Sequence, residues 1–374
     1  MQNGGRHGAR LCWRKHGNRF ISACCLLALV ALSACAGAAP AVVTTAISSP
    51  TTAQSTATVS TSTSASTAAV QASGAAARVP GTFFIEPDDG VGIIVDAINH
   101  SQKSIDMTMY LLTDREVIAA LKGSVTRHVR VRALLEQHPV GNGPGNQGIY
   151  DDLHAAGVDV KWSNPAFRLT HEKSLVLDGS SALITTANLT FSSVTSNREY
   201  GMLDTDPADA AADEAIFQAD WDRTAVSPSR ADLVVAPNNA RQKLTALIAG
   251  AKQTLLAEQE EIEDPGIEDA IVAAAKRGVM VRVIAPTPGT GADYNAAGVQ
   301  RISAGGANVH RLAKPYPHAK MFLADGQTLY VGSANVSTSS LDFTRELGLI
   351  MSNPDAIQRV EQTFEKDWNA SARV

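Results

Sequence analysis

His318-Ala319-Lys320-Met321-Phe322-Leu323-Ala324-Asp325-Gly326-Gln327-Thr328-Leu329-Tyr330-Val331-Gly332-Ser333-Ala334-Asn335 consists of two β-rich runs joined by a turn, with a base, a cation and an amide at set places. Asp-Gly between apolar runs is a strong hairpin signal, so His318–Ala324 and Thr328–Val331 are expected to pair as antiparallel strands. Residues two apart on a strand share a face, which puts the His318 imidazole beside the Lys320 ammonium. The same phrase occurs earlier as His171, Lys173, Asp178 and Asn188, with His171–Leu177 and Ala182–Thr186 as the two runs. In each copy Asn follows His by 17 positions, and a glutamate, Glu199 or Glu346, follows Asn by 11. A lone His-x-Lys is ordinarily a solvated strand edge and a lone Asp-Gly ordinarily only a turn. The full set, twice at matched spacing, is not explained that way.

The residue types suit phosphodiester chemistry. Imidazole can attack or carry a proton near neutral pH, and an ammonium beside it can hold a phosphate oxygen and stabilise charge building there. Asn188 and Asn335 supply neutral amide donors, and Glu199 and Glu346 are placed to orient a histidine. Asp178 and Asp325 sit in the turns and read as structural caps. One set from each half of the chain implies a single two-histidine site.

The repeat extends beyond the motifs. Phe84-Ile85-Glu86-Pro87 and Val234-Val235-Ala236-Pro237 open equivalent halves. Helical patterns follow at 91–102 and 240–252, strands at 104–112 and 253–262, and helices at 116–123 and 266–277. Strands then begin at Val129 and Val279, followed by glycine-ended helices closing at Gly157 and at Gly305-Gly306. Strands alternating with helices predict an α/β fold, a duplicated α/β/α sandwich. Helices would flank a mixed sheet in each half, its parallel part ending in an antiparallel pair, and the site would lie between the two pseudo-twofold-related halves.

Of the 374 residues, 44% are hydrophobic and 18% charged, ample for a core. Residues 1–77 hold five basic residues and no acid. The remainder carries 27 basic against 37 acidic residues, a net charge of −10, which disfavours a polyanionic partner such as nucleic acid. Cys12, Cys24, Cys25 and Cys35 are the four cysteines, so residues 36–374 can hold no disulfide or thiolate metal site among themselves.

The amino terminus reads as an address. A basic stretch precedes the apolar run Phe20–Leu32, which is too short to span a bilayer comfortably. Leu32-Ser33-Ala34-Cys35 resembles a bacterial lipobox, in which the cysteine is lipidated after cleavage. Residues 36–79, rich in Ala, Ser and Thr, read as a flexible tether. The expected organisation is a leader over 1–35, this tether, a first half over 80–225 and a second over 226–374. The expected location is the bacterial cell envelope, exported and lipid-anchored to one of its membranes.

His-x-Lys, four residues, Asp, six residues, Gly-Ser-x-Asn is the signature of the phospholipase D superfamily, and residues 318–335 match it fully. Residues 171–188 match except that Thr185-Thr186 replaces Gly-Ser. The resemblance covers most of residues 80–374. It implies a two-step displacement in which one histidine becomes phosphohistidine and the other protonates the departing alcohol, with family precedent favouring His171 as nucleophile and His318 as acid. Lys173, Lys320, Asn188, Asn335 and Ser333 would hold the non-bridging oxygens, with Thr186 at the place of Ser333. No metal or other cofactor is implied. Phospholipid hydrolysis at a membrane surface is the leading expectation. Phosphatidyl transfer of cardiolipin-synthase type, an exported nuclease and a catalytically silent surface binder are the alternatives. With both half-sites in one chain, a monomer is expected.

Three further stretches stand out. The acidic run Gln259–Asp264 reads as a solvated strand-to-helix junction, with lining of the cleft or selection of a cationic head group as the alternative. His138–Gly148 is a glycine-rich loop that could border the site, and Pro315-Tyr316-Pro317 could stiffen the approach to His318.

Overall fold

The computed structural model describes residues 80–374 apart from Gly141, Asn142 and Pro144; the lipobox, Cys35 and the tether up to residue 79 lie outside the described residues. The first half runs β1 (Gly81–Glu86), α1 (Gly92–His100), β2 (Ser104–Met109), α2 (Arg115–Thr126), β3 (Arg130–Leu135), α3 (Gln147–Ala155), β4 (Asp159–Trp162), β5 (Lys173–Leu177), β6 (Ser181–Thr185), α4 (Phe191–Thr195), β7 (Asn197–Asp204) and α5 (Pro207–Asp222). The second repeats the plan: β8 (Leu233–Ala236), α6 (Ala240–Gly250), β9 (Thr254–Gln259), β10 (Ile262–Glu263), α7 (Pro265–Lys276), β11 (Met280–Pro286), α8 (Ala296–Ala304) and β12 (Asn308–Leu312). It continues with β13 (Tyr316–Pro317), β14 (Lys320–Ala324), β15 (Thr328–Gly332), β16 (Val336–Ser337), α9 (Thr338–Phe343), β17 (Glu346–Met351), α10 (Pro354–Ala370) and β18 (Ala372–Arg373).

Local chemistry sets these boundaries. Asp114 caps α2 by accepting from the amides of Glu116 and Val117, and Asp264 caps α7 by accepting from that of Ile267. Asp178 and Gly179 both adopt positive φ, as do Asp325 and Gly326, which turns β5 into β6 and β14 into β15. Each aspartate then accepts from three consecutive amides at the start of a neighbouring strand: Gln102, Lys103 and Ser104 for Asp178, and Lys252, Gln253 and Thr254 for Asp325.

The sheet orders are β1-β7-β6-β5-β2-β3-β4 and β18-β12-β11-β9-β14-β15-β17-β8. The sheets are mixed, as expected, and antiparallel pairs outnumber parallel ones in each. Along these two paths parallel pairing is confined to β2-β3-β4 and to β9-β11-β12, with β13 adding a short parallel pair to β7, while β5, β6, β7 and β1, like their counterparts, pair antiparallel with one another. The cause is the return hairpin and the strand that follows it, which supply more strands than the helical crossovers do.

One face of each sheet packs on its own helices. In the first half Ile94, Ile98, Val117, Leu121 and Leu153 meet Met107, Val131 and Leu175. The opposite faces share a core to which both halves contribute, with Ile184, Met202 and Ile216 against Met321, Leu347, Val360 and Phe364. The His–Lys hairpins therefore sit at a seam made rigid by apolar packing from both sides.

Candidate active site

The two histidines precede their strands rather than beginning them: β5 starts at Lys173 and β14 at Lys320. The segment leading to each histidine pairs with the opposite half. Thr170 bridges Arg345 and the His171 amide donates to Arg345 O at 2.9 Å. Likewise β13, just before His318, pairs parallel with β7, placing Pro317 opposite Arg198. Each histidine is thus delivered beside the residue that precedes the other half's glutamate.

The orienting pairs consequently cross. His171 Nδ1 lies 3.1 Å from both Glu346 carboxylate oxygens, and His318 Nδ1 lies 2.8 Å from Glu199 Oε1. Lys173 Nζ donates to His171 O and Lys320 Nζ to His318 O, each at 2.6 Å. Both lysines are wholly buried. His171 also experiences the charges of Lys320, Glu260 and His318, so the half-sites form one electrostatic unit.

Burial shapes the protonation states. Burial first, then the ammonium groups of Lys173 and Lys320, push His171 well below the usual imidazole range. Its ring is neutral. A proton on Nδ1 facing Glu346 leaves Nε2 as a lone pair, and Nε2 has no hydrogen-bond partner among the described residues. Burial also brings Lys173 down to about 7 against the pull of Glu346, and raises Glu346 to about 7 against the pull of Lys173.

Glu260 breaks the symmetry. Its Oε2 accepts from Lys320 Nζ at 2.7 Å and lies 3.3 Å from His318 Nε2. Burial alone would raise this carboxyl, but His318 and Lys320 bring it down to about 2. Within the acidic run Glu260 therefore lines the cleft, while Asp264 caps α7 and Glu263 is exposed. Both ring nitrogens of His318 face a carboxylate, and Lys320 Nζ stands 3.3 Å from Nδ1 and 3.5 Å from Nε2. On the other side the Tyr110 ring meets His171 edge-on at 4.6 Å between centroids, and Lys173 Nζ stands 5.1 Å from the ring's centre. The Tyr110 hydroxyl accepts from the Val140 amide at 2.6 Å, so the described part of the glycine-rich loop touches the ring beside His171.

The side-chain amides of Asn188 and Asn335 make no hydrogen bond among the described residues, and both Oδ1 atoms are buried. Thr186 and Ser333 are placed differently from expectation. Both hydroxyls are fully buried behind the site: Thr186 Oγ1 donates to Glu199 Oε2 at 2.6 Å, and Ser333 Oγ donates to Leu347 O at 3.2 Å. They position the glutamate strands and do not line the cleft. The replacement at Thr185 is accommodated because its Oγ1 donates to Tyr200 O at 3.1 Å. At Gly332, by contrast, a Cβ would lie 2.4 Å from Gly348 Cα. Asp178 and Asp325 bind backbone amides, as described, away from the histidines.

A second crossed set surrounds the first. Arg198, beside Glu199, binds Asp367 of α10 at 2.6 Å, and Arg345, beside Glu346, binds Asp220 of α5 at 2.7 Å. All four are buried. The signal was present in the sequence, since an Asp-Trp pair follows each Glu at the same distance of 21 positions.

Known proteins carry the same duplicated plan. A family described as "Cardiolipin synthase, PLD-like domain" matches residues 94–221 and again 244–368. The chain belongs to the phospholipase D superfamily. The cardiolipin synthase of Clostridium perfringens is 24% identical over 336 residues, covering 75% of this chain and 68% of that protein. The mitochondrial cardiolipin hydrolase of Xenopus tropicalis is 30% identical over 135 residues, covering 35% of this chain and 62% of that protein. The phosphatidylserine synthase structure from Haemophilus influenzae shares the fold, with a TM-score of 0.59 at 13% identity over 80% of this chain and 88% of that one. Superfamily relatives of this chain are thus named mainly for phospholipid chemistry, with synthases prominent among them.

Proposed function

We propose that this protein transfers a phosphatidyl group from a phospholipid to an alcohol acceptor through a phosphohistidine on His171. The observation that carries the reading is the inequality of the two histidines across one seam. His171 is neutral with Nε2 free, while His318 has a carboxylate at each ring nitrogen.

In the first step His171 Nε2 forms a bond to phosphorus as the bond to the head-group oxygen breaks, and His318 Nε2 gives that oxygen its proton. In the second, His318 Nε2 takes the proton of the acceptor hydroxyl. The acceptor oxygen bonds to phosphorus, and the phosphorus–nitrogen bond breaks to restore His171. Covalent catalysis divides one difficult displacement into two, and one group serves in turn as acid and base. Lys173, Lys320, Asn188 and Asn335 oppose the non-bridging oxygens.

Transfer is favoured over the hydrolysis expected from sequence because relatives over most of the chain are named cardiolipin synthases. The side chains of His171 and His318 are also only 13% and 11% exposed, which favours an acceptor that excludes water. The acidic body favours lipid over nucleic acid. Lipidation at Cys35 and the tether would hold the body at a bilayer as a monomer; no helix among the described residues is long and apolar enough to cross one.

The test is to incubate the purified protein with phosphatidylglycerol or phosphatidylethanolamine, with and without added ethanol, and separately with plasmid DNA, and to identify products by mass spectrometry. Phosphatidylethanol, absent without ethanol, is expected. Phosphatidic acid alone would assign hydrolysis, and nicked plasmid with unchanged lipid would overturn the lipid reading.

A further inference from the structure

Tyr110 and Glu260 occupy the same place in the repeat. Met109 pairs with Lys173 at the end of β2, Gln259 pairs with Lys320 at the end of β9, and Tyr110 and Glu260 are the next residues. One position thus carries an aromatic ring in the first half and a carboxylate in the second. Lys173 has no carboxylate within ion-pairing distance among the described residues, whereas Lys320 is paired by Glu260 at 2.7 Å. The cleft is therefore polarised, with its unneutralised cation on the His171 side and an acid on the His318 side.

We propose that Glu260 selects the alcohol, so that the cleft prefers a phosphodiester whose departing or entering alcohol carries a hydrogen-bond donor, hydroxyl or ammonium, on the carbon next to the ester-bearing one. The inference rests on the phosphodiester reading above and adds the class of head group. His318 Nε2 is the atom that exchanges a proton with the alcohol oxygen, and Glu260 Oε2 lies 3.3 Å from it. An oxygen seated at Nε2 is consequently adjacent to this carboxylate, and a donor one carbon away is within its reach. Both recorded contacts of Glu260 fall on Oε2, leaving Oε1 to accept. The Tyr294 and Tyr316 hydroxyls, 3.3 Å apart, both feel the Glu260 charge and add polar groups on the same side. An alcohol without such a donor would leave Oε1 of this largely buried carboxylate facing carbon with no partner, which is disfavoured even though Oε2 stays paired with Lys320.

The experiment measures head-group release from phosphatidylglycerol, phosphatidylethanolamine and phosphatidylethanol, each in neutral detergent micelles. Release is the first step whether water or alcohol completes the reaction. Wild-type protein is expected to show kcat/KM about 30-fold or more higher for at least one of the first two than for phosphatidylethanol, and the two arms distinguish hydroxyl from ammonium as the preferred donor. Glu260→Gln should bring the three within about threefold of one another whatever its overall rate, and Glu260→Asp should restore part of the preference. A merely structural role would lower all three rates together. If either variant lacks a cooperative thermal transition, the substrate ratio of the other decides. Equal rates in wild type, or a ratio unchanged by the substitutions, overturn the assignment of Glu260 alone. No release from any lipid by wild type overturns the phospholipid reading and this inference with it.

Discussion

Glu346 holds His171 Nδ1 at 3.1 Å from 175 positions away in the chain. Glu199 does the same for His318 across 119 positions. Neither half contains a finished half-site, since each orients the histidine of the other. Glu346→Gln should therefore impair formation of the phosphohistidine and Glu199→Gln the proton transfers at His318. Each is expected to lower kcat by about 100-fold or more with little change in KM. Rapid-quench kinetics with a p-nitrophenyl phosphodiester separate the two. This substrate's good leaving group bypasses the acid, so its burst should survive Glu199→Gln and vanish in Glu346→Gln.

The pH profile should follow two buried groups near neutrality. Lys173, brought down to about 7, loses its positive charge as pH rises, and with it the attraction for phosphate. Glu346, raised to about 7, gains a proton as pH falls and ceases to hold His171 by charge. A bell centred near pH 7 in kcat/KM is expected, its limbs belonging to the coupled site. A plateau extending to pH 9 would remove Lys173 as the phosphate-binding cation.

Asp178 and Asp325 should matter for stability and little for chemistry. Each ties a turn to three backbone amides of a neighbouring strand. Alanine at either is expected to cost about 2 kcal/mol, measured by urea unfolding. Turnover per folded molecule should remain within about threefold of wild type.

Stability should fall from mildly acidic to mildly alkaline pH. Burial raises Glu86 and Glu172 to about 7 and Glu258 to about 8. Between about pH 4.5 and those values the folded state binds more protons than the unfolded chain, so unfolding is favoured as pH rises through the window. The thermal midpoint is expected to be higher at pH 5.5 than at pH 8. Glu258→Gln, which keeps a partner for the Tyr200 hydroxyl (2.8 Å from Glu258 in the wild type), should flatten that difference.

The duplicated α/β plan and the hairpins were legible because their signals are local: Asp-Gly turns, alternation of apolar residues, and histidine two before lysine. Matched spacing also marked Glu199 and Glu346 as orienting residues. Which histidine each one serves was not legible, because it depends on how β13 meets β7 and how Thr170 meets Arg345, contacts between distant segments. The hydroxyls of Thr186 and Ser333 misled for a similar reason, since spacing does not reveal that they turn inward. Glu260 stood out only as one member of an acidic run, because comparing the copies rewards sameness and its counterpart is Tyr110.

The central claim is that His171 carries the phosphoryl group and His318 moves protons. Incubating His318→Asn with a p-nitrophenyl phosphodiester, quenching in alkali and mapping peptides by mass spectrometry tests it most directly. The leaving group departs without an acid, and no base remains to release the adduct. The account predicts a stable phosphoryl adduct on His171 and none in His171→Asn; an adduct on any other residue, or none in His318→Asn, contradicts it.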